Sequence, residues 1–361
     1  QFAAKPELQC VSVDPSDGGG WCECDACRKL GSISDRALTL ANEVAAAVEK
    51  KHPGKYVAMY AYSQHSPPPN IKVHSRVVIN VATAFITGGY TVDQLMEGWK
   101  KQGATLGIRE YYSVHTWDRD LPGKARGANP TYLAKTIPHF HDLGARFLSA
   151  ESSDNWGCNG LGYYLAARMM WNVDAAKRID ELKEDFLTRC FGPARKSMAE
   201  FYQLVDAVNR PLLTDDLVGR MYRRLEEARQ LANDPAIRAR LADLVLYPRY
   251  VEIWLDYAST PGDARQQNWE LLARLALRIR KSEMVHTLGL IRDLPNRDKS
   301  LSVPDDARFF RTEKGSWVSN EPFAEGEIAG ILKEGAKRRQ LFDFTPVSFS
   351  DNLVPVTKLQ L

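Results

Sequence analysis

The sequence predicts an α/β fold, a parallel sheet or barrel followed by a helical domain, and three observations carry that prediction. Short apolar runs alternate with helix-like stretches five times across residues 1–172, the pattern of parallel strands joined by crossover helices. Residues 173–290 then change to successive amphipathic helices punctuated by Pro211, Pro235 and Pro261. The composition, 44% hydrophobic and 26% charged over 361 residues, belongs to a folded chain with ample material for a core.

Cys10–Val13 (CVSV) reads as the first strand and leads into a Gly-rich loop. Asp35–Lys50 has apolar residues at helical spacing, with Ser34 or Asp35 available as its cap. Tyr56–Tyr62 (YVAMYAY) is a strand of aromatic and small residues, and Pro67-Pro68-Pro69 marks the loop beyond it. Val77–Val81 (VVINV) has the continuous apolar character of a buried strand, and Val92–Gln102 is the next helix. Thr105–Glu110, Tyr132–Leu143, Ala145–Ala150 and Tyr163–Trp171 follow as strand, helix, strand and helix. Met169, Met170 and Trp171 read as core, and His139 and His141 as outward-facing.

The helical region is expected over Ala175–Cys190, Ala194–Asn209, Asp215–Asn233, Pro235–Thr260 and Asp263–Lys281, its arginine-rich faces solvated. Residues 291–361 are irregular, with one helix expected over Phe323–Arg338. The closing FTPVSFSDNLVPVTKLQL reads as a strand pair entering a further domain. The domain boundaries implied are 1–172, 173–290 and 291–361.

Composition also excludes function classes. A formal net charge of +3 gives no argument for nucleic acid or an anionic membrane, and no apolar run approaches the ~20 residues of a membrane helix. The opening QFAAKPELQC lacks Met, a basic segment and an apolar segment, so no signal peptide is read there and a processed chain is expected. There is no Gly-x-Ser-x-Gly elbow, phosphate-binding loop or dinucleotide fingerprint.

In a parallel α/β barrel, catalytic groups project from the carboxyl ends of strands. Those positions hold Asp14, Ser16 and Asp17, then Tyr60, Tyr62, Ser63, Gln64 and His65, then Asn80 and Thr83, then Glu110, Tyr111, Tyr112, His115, Trp117 and Asp118, and last Glu151, Ser152, Asp154, Asn155 and Trp156. The set suits carbohydrate chemistry: paired carboxylates cleave glycosidic bonds, aromatic rings stack on pyranose faces, and Asn, His and Asp bind hydroxyls. Glu110 and Glu151 directly follow consecutive strands and are the leading catalytic carboxylates, with Asp17 third. Either could instead form a structural ion pair with Arg109 or Arg146. Both glutamates are expected to face one pocket. Asp14, Tyr62, Tyr112, His115, Trp117, Asn155 and Trp156 are expected to bind the sugar. Trp156, in Ser152–Gly160, reads as a stacking platform on a loop folded over the mouth, with packing at the barrel end as the alternative.

Cys22, Cys24 and Cys27 (CECDAC) have three readings: a structural zinc site, a disulfide, or free thiols. A structural zinc needs a fourth ligand, and Asp25, His65 or another cysteine are the candidates. Otherwise no cofactor is required.

The stretches SVDPSDGGGWCECDACR, SDRALTLANEVA, KYVAMYAYSQHSPPP, REYYSVHTW and AESSDNWGCNGLGYYLAARMMWN, continuing through FLTRCFGPARKSMAEFYQLVD, resemble a bacterial barrel family catalogued as a domain of unknown function. That family is distantly similar to α-glucuronidases and hexosaminidase-type glycoside hydrolases. The resemblance covers about residues 10–290, and the tail EPFAEGEIAGILKEG…FTPVSFSDNLVP is similar to the join to a C-terminal β domain. It implies a (β/α)8-type barrel in which the five strands are the fourth to eighth. The remaining barrel half and an N-terminal domain would then lie outside this chain. It also implies a secreted or periplasmic, exo-acting glycoside hydrolase working on a polysaccharide or a glycan with uronic acid or amino sugars. A non-catalytic carbohydrate-binding barrel and a polysaccharide lyase are the alternatives. Cys158, in WGCNG, departs from the family pattern, where another small residue or proline is expected.

Overall fold

The structure, a computed structural model, describes residues 1–308 and 315–338. Five strands, β1 (Cys10–Ser12), β2 (Tyr56–Ser63), β3 (Val77–Ile86), β4 (Thr105–Tyr111) and β5 (Ala145–Glu151), form one curled, all-parallel sheet in sequence order. The helices of this region are α1 (Asp25–Lys29), α2 (Ile33–Lys51), α3 (Val92–Lys101), α4 (His115–Asp118), α5 (Pro130–Asp142) and α6 (Trp156–Trp171). They are followed by α7 (Ile179–Phe191), α8 (Arg195–Val205), α9 (Asp215–Leu231), α10 (Pro235–Ser259) and α11 (Gly262–Ile279). Then come the short α12 (Leu294–Arg297) and α13 (Asp305–Arg308), and finally α14 (Glu325–Ala336).

Period-two alternation decides which face of the sheet is buried. Val57, Met59 and Ala61 of β2, Val77, Ile79 and Val81 of β3, and Leu106 and Ile108 of β4 pack against Leu38, Ala41 and Ala45 of α2 and Trp99 of α3. The intervening residues, among them Tyr60, Tyr62, Arg109 and Tyr111, point to the other face. Helix α2 begins earlier than the sequence predicts. Ser32 is the cap: its hydroxyl accepts from Asp35 N at 3.1 Å while the Asp35 carboxylate accepts from Ser32 N at 2.9 Å. Asp35 also accepts from Asn70 N at 2.6 Å, which ties down the helix-free 64–76 connection between β2 and β3. The Trp99 indole donates to Ser66 O at 2.9 Å within the same connection.

The expected (β/α)8-type barrel followed by a helical domain is corrected by this architecture. The sheet has five strands, and among the described residues β1 and β5 pair on one side only. The crossovers are not a uniform strand–helix repeat, since β2 passes to β3 without a helix. Nor do the later helices form a separate layer. Leu133 and Ile137 of α5 and Leu161 and Leu165 of α6 share one hydrophobic cluster with Phe201, Tyr222, Tyr247, Trp269 and Leu332. Of the predicted core residues at the end of α6, Met169 is buried while Met170 is exposed and Trp171 is 92% exposed. His139 and His141 are outward, His139 paired with Asp93. The strand pair expected over 344–361 lies outside the described residues. No helix among the described residues is long and apolar enough to cross a membrane.

Candidate active site

Ligands of open parallel α/β sheets sit beyond the carboxyl ends of the strands. A cleft of about 500 Å³ lies there, and each strand contributes to it: Asp14 and Asp17 after β1, Tyr60 and Tyr62 from β2, Phe85 from β3, Arg109 and Tyr111 from β4, Glu151 from β5. Helix α4 supplies Trp117, and Arg297 of α12 closes one side. Asp14 is fixed by the sheet itself. Its carboxylate accepts from Tyr60 N at 2.5 Å, continuing the β1–β2 ladder one step past the end of β1.

The aromatic rings form a continuous wall. Tyr62, Phe85, Trp117 and Tyr111 follow one another with centroids 5.5, 5.6 and 5.3 Å apart. The wall depends on local backbone strain. β2 and β3 lose register between Ala61 and Ser63, and Ser63 and Phe85 both take positive φ, 49° and 56°. A left-handed conformation costs a non-glycine residue on the order of 1 kcal/mol and is retained mainly where surroundings enforce it. Here it leaves the Phe85 ring half exposed over the cleft.

Charge is concentrated beside that wall. Arg109 donates to Glu151 Oε2 at 2.7 Å, and its guanidinium lies 5.7 Å from the Tyr60 ring and 5.4 Å from the Tyr111 ring. The Tyr62 hydroxyl donates to Asp17 Oδ1 at 3.3 Å. Burial pushes the Tyr62 phenol up, and the charges of Asp17 and Glu151 add to that effect, so the hydroxyl feels both carboxylates. Burial pushes Tyr111 up to about 12. Burial lowers the His65 imidazole at the cleft floor, with Asp14 opposing it.

The two leading glutamates do not meet. Register places Tyr111 beside Glu151 and Glu110 beside Ala150, so Glu110 and Glu151 stand on opposite faces of the sheet. Glu110 is fully buried and accepts four hydrogen bonds: from Thr83 Oγ1 (2.6 Å), Tyr132 OH (2.6 Å), Tyr111 N (2.8 Å) and Arg126 (3.1 Å). It braces β3, β4 and α5 against one another. Glu151 keeps the cleft position, yet it also makes the ion pair with Arg109 that was its alternative reading.

Four other predicted residues lie behind the cleft. Tyr112 is buried in the helical core. His115 packs its Nδ1 3.3 Å from Asp120 Oδ2, and Asn155 donates to Ser113 Oγ and Asp120 Oδ1, both at 2.7 Å. Trp156 is not on a loop. It starts α6, meets Tyr163 edge to face at 5.4 Å, and donates its backbone N–H to Glu283 O at 2.8 Å. Glycines in α6 serve close packing instead: a Cβ on Gly157, within the segment read as a bend, would strike the Tyr247 ring, and one on Gly162, just beyond it, would lie 1.7 Å from Gly127 O.

These buried groups form a bracket that holds α4, and hence Trp117, to the later helices. Asp120 is fully buried. Burial opposes its charge, but hydrogen bonds from His115, His286 N and Asn155 together outweigh it and hold the carboxyl below its usual range. Asp118 is driven the other way, up to about 6, first by burial and then by the neighbouring Asp120 charge. Tyr247 OH donates to Asp120 O at 2.9 Å and Tyr250 OH to Arg119 O at 2.5 Å, fastening the same turn to α10.

Several cleft residues were outside the predicted site. Phe85 was hidden because β3 runs five residues beyond the predicted end, although ATAFI continues the apolar run. Tyr60 and Tyr111 were among the strand-end residues but not assigned to the sugar site; with Arg109 they alternate onto the cleft face, a signal that period-two counting from the buried Val57 and Ile108 supplies. Arg297 is 146 positions past Glu151 and carries no local signal. Cys22, Cys24 and Cys27 do converge, in the loop and short helix between β1 and α2.

No curated protein and no solved structure matches this chain. The five strands, and every cleft residue named above except Arg297, fall within residues 1–203. That is the span matched by the model of the family described as Domain of unknown function (DUF4838), and the chain belongs to that family.

Proposed function

We propose that the cleft at the carboxyl ends of the strands is the active site of a glycoside hydrolase. The observation that carries this reading is the aromatic wall of Tyr62, Phe85, Trp117 and Tyr111 set beside two cleft carboxylates, Glu151 and Asp17, the latter accepting from the Tyr62 hydroxyl at 3.3 Å. Rings of this kind cover the apolar face of a pyranose, and two carboxylates across one bond are the usual equipment for glycosidic cleavage. Glu151 and Asp17 take the roles of the carboxylate pair, and Glu110 has none. Arg297, on one side of the cleft, is the cation we assign to the carboxylate of a glycan carrying uronic acid, since Arg109 is already paired with Glu151. An exo-acting, secreted or periplasmic role belongs to the same proposal.

A carbohydrate-binding protein without hydrolysis is the second reading, and the Arg109–Glu151 ion pair favours it, because Arg109 occupies an oxygen that catalysis would need free. A lyase using tyrosine as base is disfavoured, since Tyr62 and Tyr111 are both pushed up and a base at neutral pH needs the opposite. The deciding experiment is a panel of aryl glycosides and uronic-acid oligosaccharides, read for release of product and for binding. Hydrolysis lost in both Glu151→Gln and Asp17→Asn supports the enzyme. Binding without turnover supports the second reading, and neither binding nor turnover overturns both.

A further inference from the structure

The three sulfurs of Cys22, Cys24 and Cys27 lie within 4.8 Å of one another. Three thiolates around a tetrahedral zinc ion at ~2.3 Å stand about 3.8 Å apart, so the cluster needs a contraction of at most about 1 Å to enclose a metal. A disulfide would need two of the sulfurs to close to about 2.05 Å, leaving the third without a role.

The surrounding backbone already holds this geometry. Arg28 N donates to Cys24 O at 3.0 Å and Leu30 N to Cys27 O at 3.1 Å. Arg36 of α2 donates to Cys22 O at 2.6 Å, so the first cysteine is anchored to the helix whose cap is set by Ser32 and Asp35.

We propose that Cys22, Cys24 and Cys27 form a three-thiolate site for a thiophilic divalent cation of the zinc type, its fourth position taken by water. The site is independent of what the cleft binds. Its effect on the cleft is mechanical. The loop from Asp14 to Trp21 is pinned at its start by Tyr60 N and includes Gly18, Gly19 and Gly20, with Gly18 and Gly20 at positive φ. A metal at Cys22 pins its other end, next to Trp21, whose ring stands 5.9 Å from His65 of the cleft. Asp17 lies between the two anchors.

The test uses the full chain, reduced and stripped of metal, titrated with Co²⁺ and then Zn²⁺. The expected result is one equivalent bound, with sulfur-to-cobalt charge-transfer bands and tetrahedral visible bands that Zn²⁺ abolishes. Cys24→Ser, at an exposed position that leaves the fold intact by circular dichroism, weakens binding by about a hundredfold or more. Cys10→Ser and Cys190→Ser leave it unchanged. Two outcomes overturn the proposal: a reduced protein that takes up no stoichiometric metal, or a freshly isolated protein whose mass and alkylation pattern show two of the three cysteines already joined as a disulfide.

Discussion

The Arg109 guanidinium meets Glu151 Oε2 at 2.7 Å while resting 5.4 Å from the Tyr111 ring centroid, which joins an ion pair and a cation–π contact at one point in the cleft. Both partners of the pair are partly exposed, so the pair contributes under about 1 kcal/mol to stability. Glu151→Gln is therefore expected to leave the melting temperature nearly unchanged while cutting turnover by about 10²–10⁴-fold. A variant with full activity in a glycosidase assay removes Glu151 from the chemistry.

Glu110 predicts the reverse. It accepts four hydrogen bonds, from β3, β4, α5 and the turn at Arg126, in a fully buried setting. Glu110→Ala strands donors from Thr83, Tyr132 and Arg126 and is expected to cost about 2–5 kcal/mol by urea unfolding. Kinetic constants per folded molecule should stay as they are in the parent protein.

Asp118 gives a pH signature. Its folded value, about 6, lies above the 3.8 of an ordinary aspartate, so between roughly pH 4 and pH 6 the native state binds more protons than the unfolded one. Its contribution to stability is therefore greatest at the acid end of that window. It is lost as pH rises through 6, by on the order of 3 kcal/mol. Asp118→Asn should flatten this limb of the stability–pH curve. An unchanged curve in the variant contradicts the assignment.

The two tryptophans expected in the sugar site should separate. Trp117 is half exposed in the aromatic wall, and truncation to Ala should weaken oligosaccharide binding about tenfold, in line with the ~1–3 kcal/mol of a stacked ring. Trp156 packs on Tyr163 outside the cleft, so Trp156→Ala should leave titration calorimetry unaltered.

Legibility followed the range of the interactions involved. The five strands and the helices from α7 to α11 were readable because period and punctuation are local properties. So was the carboxyl-end location of the cleft. What escaped was orientation and reach. One step along β4 separates Glu110 from the cleft, and only the register with β5 reveals it. Trp156 was misplaced because Gly157 and Gly160 read as a bend, whereas both lie in α6 and Gly157 is there because the Tyr247 ring and Met284 O leave no room for a Cβ. The (β/α)8 reading came from the family resemblance, which set three further strands outside this chain, whereas the sheet holds the five that the alternation marks, and the shared core of α5 to α14 has no one-dimensional signature.

That shared core also orders events in time. The rear bracket of the cleft joins Asp120 to Tyr247 and His286, 127 and 166 positions downstream. On a ribosome adding about 5–20 residues per second, His286 follows Asp120 by roughly 8–33 s. During that interval the β-strands can pair while Asp120 and its turn wait unsatisfied and the aromatic face stands open. The nascent chain is therefore most dependent on chaperone protection after its sheet has formed, and slowing translation between residues 120 and 286 should lengthen that vulnerable period.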